Sequence, residues 1–199
     1  MALGPTTVCF CGDDMVLLRK LREMFRTDYY HISLSTDVMG LECAVALKNA
    51  YALGIALTIG LVNRQHGAEA GLHYNSQAGA FYQATKEMTK LLRLQGADED
   101  STVLGIGDLY VTVYGGRTRK IGILLGEGKT YEEALDILAG VTLESLVVAR
   151  RVAKAIYRKA ELGMVDLTDF PLMTHVNDVL DHGKDAELPW DSFTFDNTK

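Results

Sequence analysis

Apolar residues are spread unevenly along this chain, and the densest run, LECAVALKNAYALGIALTIGLV from Leu41 to Val62, governs the reading of its surroundings. The run holds no proline, is rich in alanine and leucine, and is too long for one strand, so it predicts a helix buried around most of its circumference. Thr36 is the expected N-cap, with Asp37 in the first turn, and helix is expected from there to about Asn63. A membrane span does not fit: the uninterrupted part, Ala50 to Val62, falls short of the ~20 apolar residues a bilayer demands, and any longer window takes in Lys48. Lys48 and Asn49 therefore place polar chemistry inside an apolar helix. The helix neighbours of Lys48 at three and four residues, Ala44, Val45, Tyr51 and Ala52, supply no carboxylate, so either its amine snorkels to water or another segment must balance it. Desolvation favours the neutral amine and would suit such a lysine to proton transfer.

On the N-terminal side, Thr6 to Cys11, TTVCFC, is a short β-rich run that reads as a strand, a helix follows with Leu17, Leu18, Leu21, Met24 and Phe25 on its apolar face, and Tyr29 to Ser35 reads as a second strand. Strand–helix–strand units pair in parallel only within larger sheets covered by helices, so the chain reads as beginning near the end of a domain whose front is missing. No strand leads into GxGxxG at a helix start, the usual phosphate-binding turn of a dinucleotide fold. On the C-terminal side, Arg64 to His73 reads as a loop and Asn75 to Leu94 as a helix, through Phe81, Met88, Leu91 and Leu92, ended by Gly96. Asp98 to Ser101 offers caps for a short helix. Gly105 to Leu109, GIGDL, reads as a tight turn, and propensity alone makes the following LYVTVY a strand. Gly115-Gly116 is a glycine turn leading to Arg117, Arg119 and Lys120, with short helical segments to Gly126 and from Thr130 to Leu138. Leu143 to Leu162 is an amphipathic helix stopped by Gly163, Phe170 to Leu180 is one more, and the acidic end carrying Pro189 reads as a surface tail.

Composition narrows the classes. With 199 residues, 48% hydrophobic, the chain can bury a substantial core. Its net charge of −6, and the lack of any basic face interleaved with aromatics, argue against a nucleic-acid partner. Cys9, Cys11 and Cys43 lack CxxC spacing and the five histidines are scattered, so neither disulfides nor a metal are expected. Nothing at the N-terminus reads as a signal peptide, and a cytoplasmic protein is the expectation.

Three pieces in order, ALKN at Ala46 to Asn49, GIGDL at Gly105 to Leu109, and GGRTRKIG at Gly115 to Gly122, resemble the C-terminal domain of NAD-dependent glycerol-3-phosphate dehydrogenases. The resemblance also takes in STDVMGLE at the start of the long helix, Asn75 in NSQAGA and the TLES stretch around Glu144, covering Ser35 to about Asp181. It implies a mainly α fold, a multi-helix domain like that of 6-phosphogluconate dehydrogenase, over residues 36–181. Residues 1–35 would be a strand–helix–strand remnant of a Rossmann-type nucleotide domain, and 182–199 an acidic tail. It also implies that LYVTVY is helical, and we follow it over propensity because packing readily overrides β preference.

The implied chemistry is hydride transfer between NAD and the carbon bearing the secondary hydroxyl of glycerol 3-phosphate, in either direction with dihydroxyacetone phosphate. By resemblance Lys48 moves the hydroxyl proton, Asp108 supplies the carboxylate that orients it, and Thr112 lies one helical turn further on the same side. Lys48, Asn49, Asp108, Gly116, Arg117 and Thr118 would contact the substrate, with the glycine turn and guanidinium clamping its phosphate. Arg117 and Glu144 would touch the cofactor, and no metal is implied. Thr118 departs from the family's usual asparagine after this arginine: it keeps one oxygen but loses the amide donors. Two other readings thus stay open, a stand-alone helical dimerisation module of the same fold, and a dehydrogenase half for another small hydroxy acid or sugar phosphate. A homodimer is the expected assembly, and without most of the nucleotide domain the isolated chain is expected to be inactive.

Overall fold

A computed structural model describes residues 4–67, 71, 73–139 and 144–194. Strand β1 (Thr6–Cys11) and β2 (Tyr30–Ser35) pair in parallel, Thr6 opposite Tyr30 and Cys11 opposite Ser35, around α1 (Met15–Phe25). Of the apolar face expected on α1 only Leu18 is buried; Val16, Leu17, Met24 and Phe25 are more than half exposed, since two strands offer too little sheet to cover them.

The body is helical. Helix α2 (Val38–His66) is the axis, against which α3 (Tyr74–Leu94), α4 (Glu99–Tyr114), α5 (Gly116–Gly126), α7 (Glu144–Glu161) and α8 (Pro171–His182) all pack; the short α6 (Tyr131–Ile137) sits beside α5. Its cap is Asp37 rather than Thr36, because the Asp37 carboxylate accepts from the Gly40 N–H at 2.9 Å. The helix also runs one turn beyond Asn63, to His66. By length and apolarity α2 could cross a bilayer, but most of its apolar window is buried by the other helices: from Ala50 to Leu61 every residue is buried. The expected tight turn at GIGDL does not exist. Residues 99–114 are one unbroken helix, so LYVTVY is helical and Asp108 sits in mid-helix. Gly105 is there to let α4 approach α2, since a Cβ at 105 would lie 2.7 Å from that of Ala44.

Helix α5 is held even closer. A Cβ on Gly60 would fall 2.1 Å from the Ile123 carbonyl oxygen, and one on Gly126 would fall 2.3 Å from that of Leu57. These glycines bring the two backbones together and fix where α5 begins. The amphipathic α7 buries Ala149, Ala153 and Ile156 as its pattern predicts, while the expected start at Leu143 lies outside the described residues. The acidic C-terminal segment is not merely superficial: Ala186, Leu188 and Phe193 are buried in the core, and Arg64 holds Asp185 through two hydrogen bonds.

Candidate functional site

Lys48 lies almost three turns into α2, where the helix passes from its half-exposed first part into the core. Its side chain is 17% exposed, and its ammonium donates to the Asp108 carboxylate on α4. The carboxylate missing from its own helix thus arrives from a segment sixty residues away. Asp108 keeps 40% of its side chain exposed, so the pair faces outward to one side and apolar packing on the other. One turn further along α4, the Thr112 hydroxyl donates to the Asp108 carbonyl oxygen at 2.7 Å, leaving its oxygen lone pairs open.

Beside this pair is a cleft of about 190 Å³. Asn49 and Thr112 form one wall, the segment Gly115 to Thr118 a second, and Glu144 with Ser145 a third. The Gly116 φ of +84° is a left-handed value that glycine adopts freely, and it turns the chain from the end of α4 into α5. No side chain caps α5, so the N–H groups of its first turn are available to an anion in the cleft. Thr118 is buried and Arg117 exposed. Arg119 donates to the Val113 carbonyl at 3.3 Å, closing the end of α4, whereas Arg117 has no ion pair among the described residues. Of the three cations in this segment, Arg119 is used in packing, Arg117 stands at the cleft and Lys120 is exposed.

Six of the residues singled out from sequence, Asn49, Thr112, Gly116, Arg117, Thr118 and Glu144, line this one cleft, and the remaining two, Lys48 and Asp108, form the pair flanking it. Asn75 does not join them; it is exposed in the first turn of α3. Ser145, 3% exposed and lining the cleft beside Glu144, escaped notice. Its only sequence signal is adjacency to Glu144 in TLES, of which Thr142 and Leu143 lie outside the described residues.

Comparisons with known proteins place the chain in a family. The family model described as "NAD-dependent glycerol-3-phosphate dehydrogenase C-terminus" matches residues 37–190. The chain is 34% identical over 136 residues to an NADP(+)-dependent glycerol-3-phosphate dehydrogenase of Archaeoglobus fulgidus, covering 67% of this chain and 39% of that one. It is 30% identical over 186 residues to a glycerol-3-phosphate dehydrogenase [NAD(P)+] of Bacillus cytotoxicus, covering 92% of this chain and 50% of that one. Among solved structures, the glycerol-3-phosphate dehydrogenase of Coxiella burnetii superposes with a TM-score of 0.74 at 23% identity, over 96% of this chain and 54% of that one, and establishes the fold. The chain thus spans half or less of the length of these two relatives. With the family match running through Lys48, Asp108 and the whole cleft, this chain belongs to the NAD-dependent glycerol-3-phosphate dehydrogenase family and corresponds to its C-terminal domain.

Proposed function

We propose that this chain is the catalytic and substrate-binding part of an NAD(P)-dependent glycerol-3-phosphate dehydrogenase. The observation that carries the reading is the Lys48–Asp108 pair beside a small cleft with a free cation and an uncapped helix start. Its volume is below the ~300–1,000 Å³ of pockets for drug-sized ligands, and suits a compact polar substrate. The phosphate of glycerol 3-phosphate would rest on the first-turn N–H groups of α5 and the Arg117 guanidinium, with the Thr118 hydroxyl beside it. Asn49 and Thr112 would hold the substrate's hydroxyl end near Lys48. Lys48 then gives a proton to the carbonyl oxygen as dihydroxyacetone phosphate is reduced, and takes it back from the hydroxyl in the other direction. Asp108 keeps the Lys48 nitrogen in line before and after the proton moves.

When bound, the nicotinamide cofactor supplies or accepts the hydride. The described residues fit it from one side only, through Arg117 and Glu144. The helix start after β1 offers nothing to a pyrophosphate, because the Asp14 carboxylate already accepts from the N–H groups of Val16 and Leu17 at 2.9 and 3.0 Å. We assign the cofactor mainly to a Rossmann-type domain of which residues 1–35 are the last strand–helix–strand, with 36–181 the catalytic domain and 182–199 its tail. Homodimer formation is supported by the apolar outer face of α4, where Val103, Tyr110, Val111 and Tyr114 are all about half exposed or more. The free thiols of Cys9, Cys11 and Cys43 support a cytoplasmic location.

The test is to join this chain to the nucleotide domain of the Archaeoglobus fulgidus relative and assay reduction of dihydroxyacetone phosphate. Turnover is expected, with Lys48→Met lowering kcat by ~10²–10⁴-fold at little change in cofactor affinity. A fusion as active with methionine as with lysine would remove the proposed role.

A further inference from the structure

We infer that Asp37 is the positioning residue of this site: its single carboxylate closes the N-termini of α2 and α4 together, and so sets the register in which Lys48 meets Asp108. The inference rests on the reading of that pair given above. One Asp37 oxygen, Oδ1, accepts from the Gly40 N–H at 2.9 Å, capping its own helix. The other, Oδ2, accepts from the Asp98 N–H at 2.9 Å and from the Ser101 hydroxyl at 2.7 Å, at the start of α4. Asp98, which occupies the N-cap position of α4, makes no side-chain cap of its own, so the carboxylate closing that end comes from the neighbouring helix.

The contacts form a ladder between two helices running the same way. The first rung is Asp37 with Asp98 and Ser101, the second is Ala44 against Gly105, and the third is Lys48 with Asp108. Between the first and second rungs each helix advances about two turns, from 37 to 44 and from 98 to 105, and about one more turn leads to the third. A slip of one residue would displace one helix by ~1.5 Å along its axis and carry the carboxylate away from the ammonium. The Ala44–Gly105 contact controls separation but presents only smooth apolar surface to axial sliding. Asp37 supplies directional bonds to both helices. Gly40 belongs to the same device, because a Cβ there would fall 2.0 Å from Asp37 Oδ2. Hydrogen bonds from Ser101, Asp98 and Gly40, in that order of effect, hold the Asp37 carboxyl below its usual range, so it stays charged and accepting across ordinary pH.

The experiment reads the Lys48 ammonium directly, by ¹⁵N NMR of the 199-residue chain labelled at lysine, with Lys48→Met identifying the signal and Asp108→Asn giving its value without the partner carboxylate. Asp37→Asn keeps an oxygen for Gly40 but turns an amide N–H toward the Asp98 N–H. It should move the Lys48 signal at least halfway to the Asp108→Asn value. Thr130→Ala, which removes the capping box of α6, is the control: it also loses a helix cap and should leave the Lys48 signal in place. Should Asp37→Asn fail to fold, Ser101→Ala, which deletes one rung bond, should give a smaller shift in the same direction. An unmoved Lys48 signal in a folded Asp37 or Ser101 variant, or an equal shift in Thr130→Ala, overturns the inference. The readout needs neither substrate nor cofactor, so its failure is separate from any failure of the dehydrogenase reading.

Discussion

Glu87 on α3 has no exposed surface, yet among the described residues it has no cation partner, and it does not line the cleft. It accepts from the backbone N–H groups of Leu172 and Met173 at 2.7 and 3.0 Å and from the Gln83 amide at 2.8 Å. Helix α8 begins with Phe170 and Pro171, which offer no side-chain cap, so Glu87 closes it from outside. Burial pushes its carboxyl up and the hydrogen bonds pull it down, leaving it at about 7 against an ordinary 4.5. A carboxyl raised in the folded state stabilises fully below about 4.5, and that contribution is lost as pH climbs through about 7, a change of roughly 3 kcal/mol. Buried His175 works in the opposite sense: burial lowers its ring below 6.5, so its contribution is lost as pH falls. The wild-type pH profile alone therefore mixes the two. Urea unfolding of wild type and Glu87→Gln should show their stability difference shifting toward the variant between pH 5 and 8; parallel profiles would contradict the assignment.

Between elements, the close crossing of α2 and α5 decides where the Gly115–Gly116 turn lies. Gly60→Ala would push a methyl into the Ile123 carbonyl and the backbone at Gly126 and Glu127, none of which can move without shifting α5. We expect it to cost ~3 kcal/mol or more, at or beyond the upper end of ordinary overpacking. Gly54→Ala is the informative comparison, since the nearest atoms to its methyl belong to side chains and not to backbone, Val176 Cγ2 at 2.9 Å and Leu172 Cδ1 and Cγ at 3.0 and 3.2 Å. Its cost should be smaller, about 1–2 kcal/mol. Urea midpoints of the two variants check the ranking, and equal losses would mean that backbone proximity is not what limits this crossing.

For the whole chain, the cleft and the exposed α1 face describe one boundary. The proposed catalytic pair and the proposed phosphate site are both present, while the β1–α1–β2 unit leaves Val16, Leu17, Met24 and Phe25 uncovered and its helix start occupied by Asp14. The 199-residue chain should accordingly fail to bind NADH saturably in the micromolar range, followed by NADH fluorescence, and should not reduce dihydroxyacetone phosphate. Saturable micromolar binding with turnover would reveal a dinucleotide site within these residues and refute the assignment of the cofactor to another domain.

Much of this was legible without coordinates, for reasons local to each segment. Apolar periodicity marks α7, and the uninterrupted run after Lys48 marks a core helix; the want of an acid near Lys48 on its own helix implies a partner from elsewhere. Motif spacing, through the family resemblance, singled out Asp108 as that partner. Local chemistry misread the segment carrying it: two glycines and an aspartate look like a turn, and Val, Tyr and Thr look like a strand. In the fold Gly105 serves the close approach of Ala44, and Leu109 and Val113 are buried on the inner face of α4, so tertiary packing makes the whole segment helical. The sequence by itself marked which stretch is the axis and, through the family resemblance, which residues were candidates for the chemistry. Only the tertiary structure decided that Asp37 caps two helices, that Glu87 caps a third, and that Ser145 joins the cleft, because each depends on the distance between elements that no periodicity within one element records.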